Sequence, residues 1–266
     1  MDHPSETQTQ AAQRLLDAYD SGAPTDPLSQ TFDGLTVDDA YAIQLAQVQR
    51  WTESGRRIIG HKVGLTSAAM QKQLGVDQPD YGHLMDDFAY LEHQPIPLDG
   101  FLQPRVEPEV AFVLSRPLSG PGVTVAQAIS AVDYVLPALE IVDSRVADWK
   151  ITLVDTIADN ASSGAFVLGS TPTRLEDVDL RLTGCVFTRN AQIVGTGVGG
   201  AVLGSPITSL VWLANTLGAR GVTLEPGHVI LPGSVTSMVP IAPGDTFTAT
   251  FAGLGSVTAR FAKENA

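Results

Sequence analysis

Three glutamates are the residues of this sequence whose types and spacing point most directly to chemistry. Glu107 and Glu109 stand two residues apart in the stretch Arg105–Leu114, which alternates like a β-strand. Side chains two apart in a strand point to the same face, so the two carboxylates are predicted to project together. Glu140 interrupts residues 134–142, an otherwise apolar run that is typical of a buried strand. A carboxylate there requires a cation or hydrogen-bond donors, because its desolvation is costly.

Two arrangements of these carboxylates fit the sequence. Three clustered carboxylates with open coordination positions suit a hard divalent ion, Mg²⁺ or Mn²⁺, with water or substrate completing the octahedron. Alternatively, Glu107 and Glu109 form a solvated pair on an edge strand, and Glu140 forms a salt bridge with an arginine. The spacing alone leaves both arrangements open, because pairs of glutamates two residues apart are common.

A lysine and an aspartate are further candidates for catalysis. Lys62 lies in an apolar, strand-like run with a glycine two residues away on each side, which lets a ligand approach closely. It is predicted either to extend its ammonium to the sheet edge or to act as a cation or proton donor near an anionic substrate. Asp80 follows a proline in a loop predicted over residues 74–84. It is predicted to be either a turn residue or a positioned general base. His83 is predicted to be a loop or capping histidine.

Other motifs give less specific indications. Residues 155–164 are rich in hydroxyl and amide groups, which either contact a substrate carboxylate or form a hydrogen-bonded loop. Residues 195–200 match G-x-G-x-x-G, but a second turn at 204–206 precedes the next helix, so a Gly-rich turn is predicted instead of a dinucleotide site. Cys185 lies in an apolar alternation with no histidine near it in sequence, which predicts a buried structural thiol.

The elements that must position these residues divide the chain into two predicted parts. The first part is helical, with Thr36 as the N-cap of a helix whose first turn is acidic. From residue 57 onward short β-like runs are separated by Gly and Pro, and one well-marked helix covers residues 206–218. Regular strand–helix alternation is absent, which argues against a doubly wound sheet. We therefore expect an α+β protein with an N-terminal helical region, 1–56, and a mixed-β domain, 57–266.

Composition excludes several classes of protein. The chain has 266 residues, 44% hydrophobic and 17% charged, which is typical of a globular protein with a full core. The formal net charge of −13 argues against nucleic acid or an anionic membrane as partner, although a bound metal can still attract a small anion. A single cysteine fits a reducing compartment. The polar start predicts no secretory signal, and no run reaches the ~18 apolar residues of a membrane span, so a cytoplasmic protein is expected.

Several segments, in this order, resemble a known family. They are similar to the 2-oxopent-4-enoate hydratases and the related 4-oxalocrotonate decarboxylases of the fumarylacetoacetate hydrolase superfamily, over about residues 35–262. The segments are GHKVGLTS at 60–67, PRVEPE at 104–109, LEIVDSR at 139–145, DNASS at 159–163, and PGD at 243–245 with GLGS at 253–256. The segments QPDYG at 78–82, ADWK at 147–150 and GSP at 204–206 resemble the hydratases more than the decarboxylases.

The resemblance implies a mixed β-roll or barrel-like domain behind N-terminal helices, and a homo-oligomer ranging from a dimer to a pentamer-based ring, associated with a partner enzyme of the same pathway. It also implies a Mg²⁺ or Mn²⁺ centre of three glutamates, an acid–base pair, and three contacts to a small anionic 2-oxo or 2-hydroxy acid. In this sequence these roles fall on Glu107, Glu109 and Glu140, on Lys62 and Asp80, and on Leu65, Lys150 and Ser162.

The implied reaction is the addition of water to 2-hydroxypenta-2,4-dienoate (2-oxopent-4-enoate), or a close homologue, in the breakdown of aromatic or steroid rings. The alternative is decarboxylation of 4-oxalocrotonate (2-oxo-3-hexenedioate), which requires room and a cation for a second carboxylate. A C–C bond hydrolase of the superfamily would need a histidine-activated water, and no histidine is convincingly placed for that role. A non-catalytic homologue would have no need of every expected site residue.

Overall fold

The computed structural model describes residues 4–263 of the chain. The first three residues, on which the prediction of no secretory signal partly rests, lie outside this range. Within it the α-helices are α1 (Glu6–Ser21), α2 (Leu28–Thr31), α3 (Val37–Glu53), α4 (Ala68–Leu74), α5 (Val125–Ala131), α6 (Leu153–Ala158) and α7 (Pro206–Gly218). The strands of the larger sheet are β1 (Ile58–Gly64), β2 (Asp80–Met85), β3 (Ala89–Tyr90), β5 (Arg105–Leu114), β6 (Val132–Val142), β7 (Ser163–Leu168), β10 (Val229–Leu231) and β11 (Val239–Pro240). Those of the smaller sheet are β4 (Pro95–Ile96), β8 (Gly184–Arg189), β9 (Gln192–Val198), β12 (Thr246–Phe251) and β13 (Gly255–Phe261).

The larger sheet is mixed and carries the candidate site. Its order is β2-β1-β10-β5-β6-β7-β3, with β11 paired to β5 at the side; β1 runs parallel to β10 and β3 to β7, whereas the remaining pairs are antiparallel. The smaller sheet, in the order β4-β13-β12-β8-β9, packs against β6 and β7 and shares one hydrophobic core with them. This arrangement confirms the predicted α+β architecture.

The helices begin where the sequence offers capping groups. Thr36, predicted as an N-cap, accepts a hydrogen bond from the Asp39 amide, and the Asp39 side chain accepts one in return from the Thr36 amide. The same reciprocal box starts α6 at Thr152 with Asp155. From α3, the buried amides of Gln44 and Gln47 donate to backbone carbonyls of β2 and α6. The N-terminal helices are thereby fixed against the sheet edge that carries β1 and β2.

The segments 155–164 and 195–200 differ from the predictions. A hydrogen-bonded loop was one of the two predictions for the polar segment 155–164. Part of this segment instead belongs to the short helix α6. The expected Gly-rich turn at 195–200 is in part a strand, because Gly195 and Gly197 belong to β9. A side chain at Gly197 would overlap the carbonyl of Val235, so glycine allows this close approach of two backbones.

One segment of the described residues, Gly199–Gly218, is long and apolar enough to cross a membrane by length and composition alone, with a mean hydropathy of 1.2. Most of this segment is α7, which begins at Pro206 and ends at Gly218 as predicted. The helix buries Leu210, Leu213 and Leu217 in the core. Its packing is therefore that of a core helix.

Candidate active site

The three glutamates meet on one face of the larger sheet. Glu107 in β5 is directly opposite Glu140 in β6, and Glu109 follows two residues along β5 on the same face. One carboxylate oxygen from each residue lies within 4.8 Å of the other two. Glu109 and Glu140 are each 1% exposed, and Glu107 is half-buried at the open side of the cluster. The prediction that the carboxylates of Glu107 and Glu109 share a face is confirmed.

This cluster is electrostatically unfavourable by itself. Burial and the neighbouring Glu140 carboxylate raise the pKa of Glu107 to about 7, and the same two causes raise the pKa of Glu109 well above its usual range. In the described part of the chain, no hydrogen bond reaches Glu109 Oε1 or Glu140 Oε2. Buried, unpaired carboxylate oxygens that converge on one point are the donor set of a hard divalent cation. The residues present therefore fit Mg²⁺ or Mn²⁺.

The alternative of a solvated glutamate pair with a Glu140–arginine salt bridge is wrong. Glu109 is buried, and the cation beside Glu140 is Lys62, whose Nζ lies 3.3 Å from Glu140 Oε1. The buried arginine nearest in sequence, Arg145, instead forms an ion pair with Asp159.

A glycine supports Glu109, one of the two fully buried glutamates. The amide of Gly233 donates to Glu109 Oε2 at 2.8 Å. Gly233 has a φ of +124°, and a Cβ at this position would overlap the Thr66 side chain. Only glycine accommodates both the backbone conformation and the close approach, so the turn after β10 is suited to present its N–H to the cluster.

Lys62 is a buried ammonium beside the cluster. Its Nζ donates to the carbonyl of Ala161 at 2.9 Å, in addition to the contact with Glu140. Burial alone would lower the pKa of Lys62, but the Glu140 and Asp80 carboxylates outweigh it and raise the pKa above its ordinary value. The side chain does not extend to a sheet edge, and it is charged at neutral pH. It is therefore available as a proton donor and as a positive charge.

Asp80 lies in a strand, not in the predicted loop. It opens β2, where all six residues are buried, and it pairs in register with Gly64 of β1. The Asp80 carboxylate occupies the space that a side chain at Gly64 would fill, next to Lys62, and its Oδ2 accepts from the Thr156 hydroxyl at 3.2 Å. Burial raises the pKa of Asp80 in spite of Lys62 and Thr156, which makes the carboxylate a stronger base than a solvated one.

A left-handed turn completes the site. Asn160, Ala161 and Ser162 have φ values of +50°, +51° and +53°, an uncommon conformation for residues with side chains. The Asn160 side chain both accepts from the amide of His83 and donates to its carbonyl, so the turn is tied to β2. The turn directs the Ala161 carbonyl to Lys62 and leaves the buried Ser162 hydroxyl without a hydrogen-bond partner among the described residues. Such strain in a well-packed segment is typical of functional sites.

The remaining predicted substrate contacts lie in different surroundings. Leu65 directly follows β1, with a φ of +55°, next to the end of the strand that holds Lys62. Lys150 is exposed, and its Nζ lies 2.9 Å from Asp148. Within residues 4–263 no hydrogen bond or ion pair joins Lys150 to the glutamates, so its role in binding stays a prediction.

Residues 61–262 match the family described as "Fumarylacetoacetate (FAA) hydrolase C-terminal". The chain belongs to the fumarylacetoacetate hydrolase family. The resemblance noted in the sequence and the fold it implies are thereby confirmed.

Relatives within the fumarylacetoacetate hydrolase family include hydratases and a decarboxylase. The chain is 50% identical to the 2-keto-4-pentenoate hydratase of Paraburkholderia xenovorans (strain LB400), covering 95% of this chain and 94% of the relative. It is 43% identical to the 2-hydroxyhexa-2,4-dienoate hydratase of Comamonas testosteroni, covering 94% and 95%. A solved structure of 4-oxalocrotonate decarboxylase from Pseudomonas putida G7, complexed with magnesium and adipate, superposes with a TM-score of 0.93 at 39% identity, covering 96% and 97%.

Three contributors to the site were not singled out from the sequence: the Gly233 amide, the Ala161 carbonyl and the Thr156 hydroxyl. Two of them are backbone groups, which every residue carries, so residue type gives no signal for them. Thr156 and Ala161 lie in the polar segment 155–164 that the sequence flagged as a whole. Pro232–Gly233 after a short apolar run was the available signal for the turn that holds Glu109.

Proposed function

We propose that this protein is a metal-dependent hydratase that adds water to 2-hydroxypenta-2,4-dienoate (2-oxopent-4-enoate), or a close homologue, to give a 4-hydroxy-2-oxo acid in the degradation of aromatic or steroid rings. The observation that carries the proposal is the placement of Lys62 and Asp80 beside three converging glutamates in one buried site. The names of the relatives at 50% and 43% identity support the same reaction.

In this proposal Glu107, Glu109 and Glu140 hold Mg²⁺ or Mn²⁺. When bound, the ion supplies a Lewis acid that favours the 2-oxo tautomer and stabilises negative charge on the substrate's 2-oxygen. The Gly233 amide fixes the orientation of the Glu109 carboxylate that would hold the ion. The site takes a small anionic 2-oxo or 2-hydroxy acid as its partner.

The protein's own groups then move the protons. Asp80 takes a proton from the water that attacks C4, because its buried carboxylate has a raised pKa and is oriented by Thr156. Lys62, an ammonium before the reaction begins, either passes a proton to C5 or stabilises the negative charge on the substrate's 2-oxygen. Two further residues contact the substrate: Ser162, whose hydroxyl has no hydrogen-bond partner among residues 4–263, and Leu65, in the turn after β1.

Decarboxylation of 4-oxalocrotonate is the second candidate, because the decarboxylase from Pseudomonas putida G7 shares the fold closely. The higher identity to the hydratase, 50% against 39%, favours hydration. The two reactions differ in what the site must do. Hydration requires a base for water, whereas decarboxylation requires a cation for a second carboxylate.

One assay separates the two functions. Purified protein with Mg²⁺ is given 2-hydroxypenta-2,4-dienoate or, separately, 4-oxalocrotonate, and loss of the dienol, formation of the 4-hydroxy-2-oxo acid and release of CO₂ are followed. We expect hydration of the first compound to be faster than CO₂ release from the second. Faster release of CO₂ would make the decarboxylase assignment correct.

We further propose a cytoplasmic homo-oligomer, between a dimer and a pentamer-based ring, that associates with another enzyme of its pathway. The net charge of −13 supports the expectation that neither nucleic acid nor an anionic membrane is a partner. The mass of the particle in solution, from light scattering after gel filtration, tests the oligomeric state.

A further inference from the structure

A positive side chain beside the glutamate cluster has neither a hydrogen bond nor an ion pair within residues 4–263. Arg105 precedes Glu107 by two residues in β5, so both side chains leave the strand on the same face, with Cα atoms about 7 Å apart. Arg105 is half-buried and Glu107 is the outermost of the three glutamates, so Arg105 lies toward the open side of the cluster. A small molecule that enters the site from this side would therefore meet Arg105 before it reaches the glutamates.

The guanidinium of Arg105 is held in place by an aromatic ring. Its Cζ lies 4.5 Å from the centre of the Trp149 indole. That ring is itself fixed, because Trp149 Nε1 donates to the carbonyl of Gln103 at 3.0 Å and its backbone takes a left-handed conformation with φ of +56°. A stacked guanidinium loses little conformational freedom when it binds an anion, since its planar fork is already oriented.

Arg105 differs from the other stacked arginines of the described chain. Each of the others also forms an ion pair with an aspartate: Arg56, Arg145, Arg189 and Arg220. Within residues 4–263 no hydrogen bond or ion pair occupies the Arg105 side chain. Its five N–H donors are therefore available to a ligand, and a carboxylate is the anion whose geometry matches the guanidinium fork.

The charge of the site gives this cation a function. With a divalent ion in place, the three glutamates, Asp80 and Lys62 together leave a net negative charge, which repels an anionic substrate. We propose that Arg105, stacked on Trp149, binds the carboxylate of the substrate and so determines the affinity of the site for 2-oxo acids. The proposal deepens the proposed function and rests on the substrate being a 2-oxo acid.

The test measures binding of pyruvate, a simple 2-oxo acid, to the full-length protein by calorimetry at saturating Mg²⁺. We expect pyruvate to bind Arg105→Met at least 10-fold more weakly than wild type, while the Mg²⁺ affinity changes less than threefold. Arg105→Lys keeps the charge but lacks the planar fork. Its pyruvate affinity should therefore be more than threefold below that of wild type, but higher than that of Arg105→Met. Arg174→Met, which removes an exposed arginine paired with Glu176, is the matched control and should bind pyruvate like wild type.

Two results would overturn the proposal. One is unchanged pyruvate affinity in both Arg105 variants. The other is a loss of pyruvate affinity that disappears once Mg²⁺ is raised to saturate the variant, because Arg105 would then act only on Glu107. The hydration assay is independent of this measurement. Wild-type protein that hydrates no dienoate but binds pyruvate through Arg105 would refute the proposed function and leave the carboxylate site intact.

Discussion

At the scale of single residues, the main candidates for chemistry are three carboxylates, each with one oxygen within 4.8 Å of the other two. Like charges directly opposite in neighbouring strands destabilise a sheet, and burial adds a desolvation cost. A divalent cation removes both costs at once, whereas Lys62 alone neutralises only part of the cluster. The arrangement therefore favours binding of a metal by the folded site before any substrate arrives.

The first prediction concerns the buried glutamates. Glu109→Gln and Glu140→Gln remove one charge without changing side-chain volume, so the fold should survive. Affinity for Mn²⁺, measured by calorimetry, should fall at least 10-fold, about 1.4 kcal/mol. Glu176→Gln, an exposed glutamate, is the control and should titrate like wild type. Wild-type affinity in both buried variants would show that the cluster is not the metal site.

The second prediction concerns Lys62. Lys62→Met removes the ammonium but keeps an unbranched side chain, so hydration should slow by ~10² or more in kcat. Metal affinity should not fall, because the lost positive charge opposed the metal. A variant with full kcat and only a raised KM would limit Lys62 to substrate binding. Steady-state kinetics at saturating metal distinguish these outcomes.

The site could be predicted from the sequence where side-chain type and spacing carry the information. The i, i+2 spacing of Glu107 and Glu109 indicated that their carboxylates share a face. The apolar sequence around Glu140 and Lys62 indicated buried charges that require partners of opposite charge. Spacing could not say that Glu107 stands opposite Glu140, because strand register depends on the whole sheet. That register is the fact that turns two acidic segments into one cluster.

At the scale of elements, the left-handed turn after α6 joins Lys62 in β1, through the Ala161 carbonyl, to β2, through the Asn160 side chain. The turn is held in place by Arg145, whose side chain is fully buried. Its guanidinium donates to the side chain and the carbonyl of Asp159, and to the carbonyl of Ser163 at 3.1 Å. The turn's geometry at Ala161 therefore depends on an ion pair outside the site.

The third prediction follows from this support. Arg145→Met leaves the buried Asp159 carboxylate without its cation, so the free energy of unfolding should fall by about 3–5 kcal/mol. Urea denaturation monitored by circular dichroism gives the value. Arg174→Met breaks an exposed ion pair and should cost less than about 1 kcal/mol. Equal stability of the two variants would mean that Arg145 does not hold the turn.

Elements with a clear period or cap were predictable, and the others were not. The alternation of β5, the Thr36 cap of α3 and the Pro206 start of α7 are local signals, and the structure has each element there. Strand β2 has no alternation, because all six of its residues are buried and a glycine and two polar residues interrupt the apolar ones. Its pairing with β1 is a tertiary property, and this is why Asp80 was assigned to a loop.

At the scale of the whole molecule, buried histidines make stability depend on pH. His83, predicted to lie in a loop, is a buried residue of β2 whose ring stands 4.9 Å from that of His61 and 6.1 Å from that of Tyr81. Burial lowers the pKa of His83 to about 4. The unfolded chain, with a histidine pKa of about 6.5, therefore takes up a proton at pH 5 that the folded protein does not bind.

The fourth prediction is the resulting loss of stability in acid. As the pH falls from 7.5 to 5, protonation of His83 in the unfolded chain lowers the free energy of unfolding by about 2 kcal/mol. His83→Phe keeps a ring of similar shape but cannot titrate. Over this pH interval its free energy of unfolding should therefore fall by about 2 kcal/mol less than that of wild type. Denaturant titrations at several pH values provide the measurement. Parallel declines in both proteins would exclude His83 as the cause.

In the proposed function the turn, the sheet and the glutamate cluster together serve the addition of water. The most direct measurement is the rate of 4-hydroxy-2-oxo acid formation from 2-hydroxypenta-2,4-dienoate by wild type and by Asp80→Asn at saturating Mg²⁺. Asparagine keeps the size and some hydrogen bonding of Asp80 but cannot accept the proton from water. We expect hydration to fall by ~10²–10⁴ with Mg²⁺ affinity retained. Hydration by Asp80→Asn at the wild-type rate would show that Asp80 is not the base that activates water.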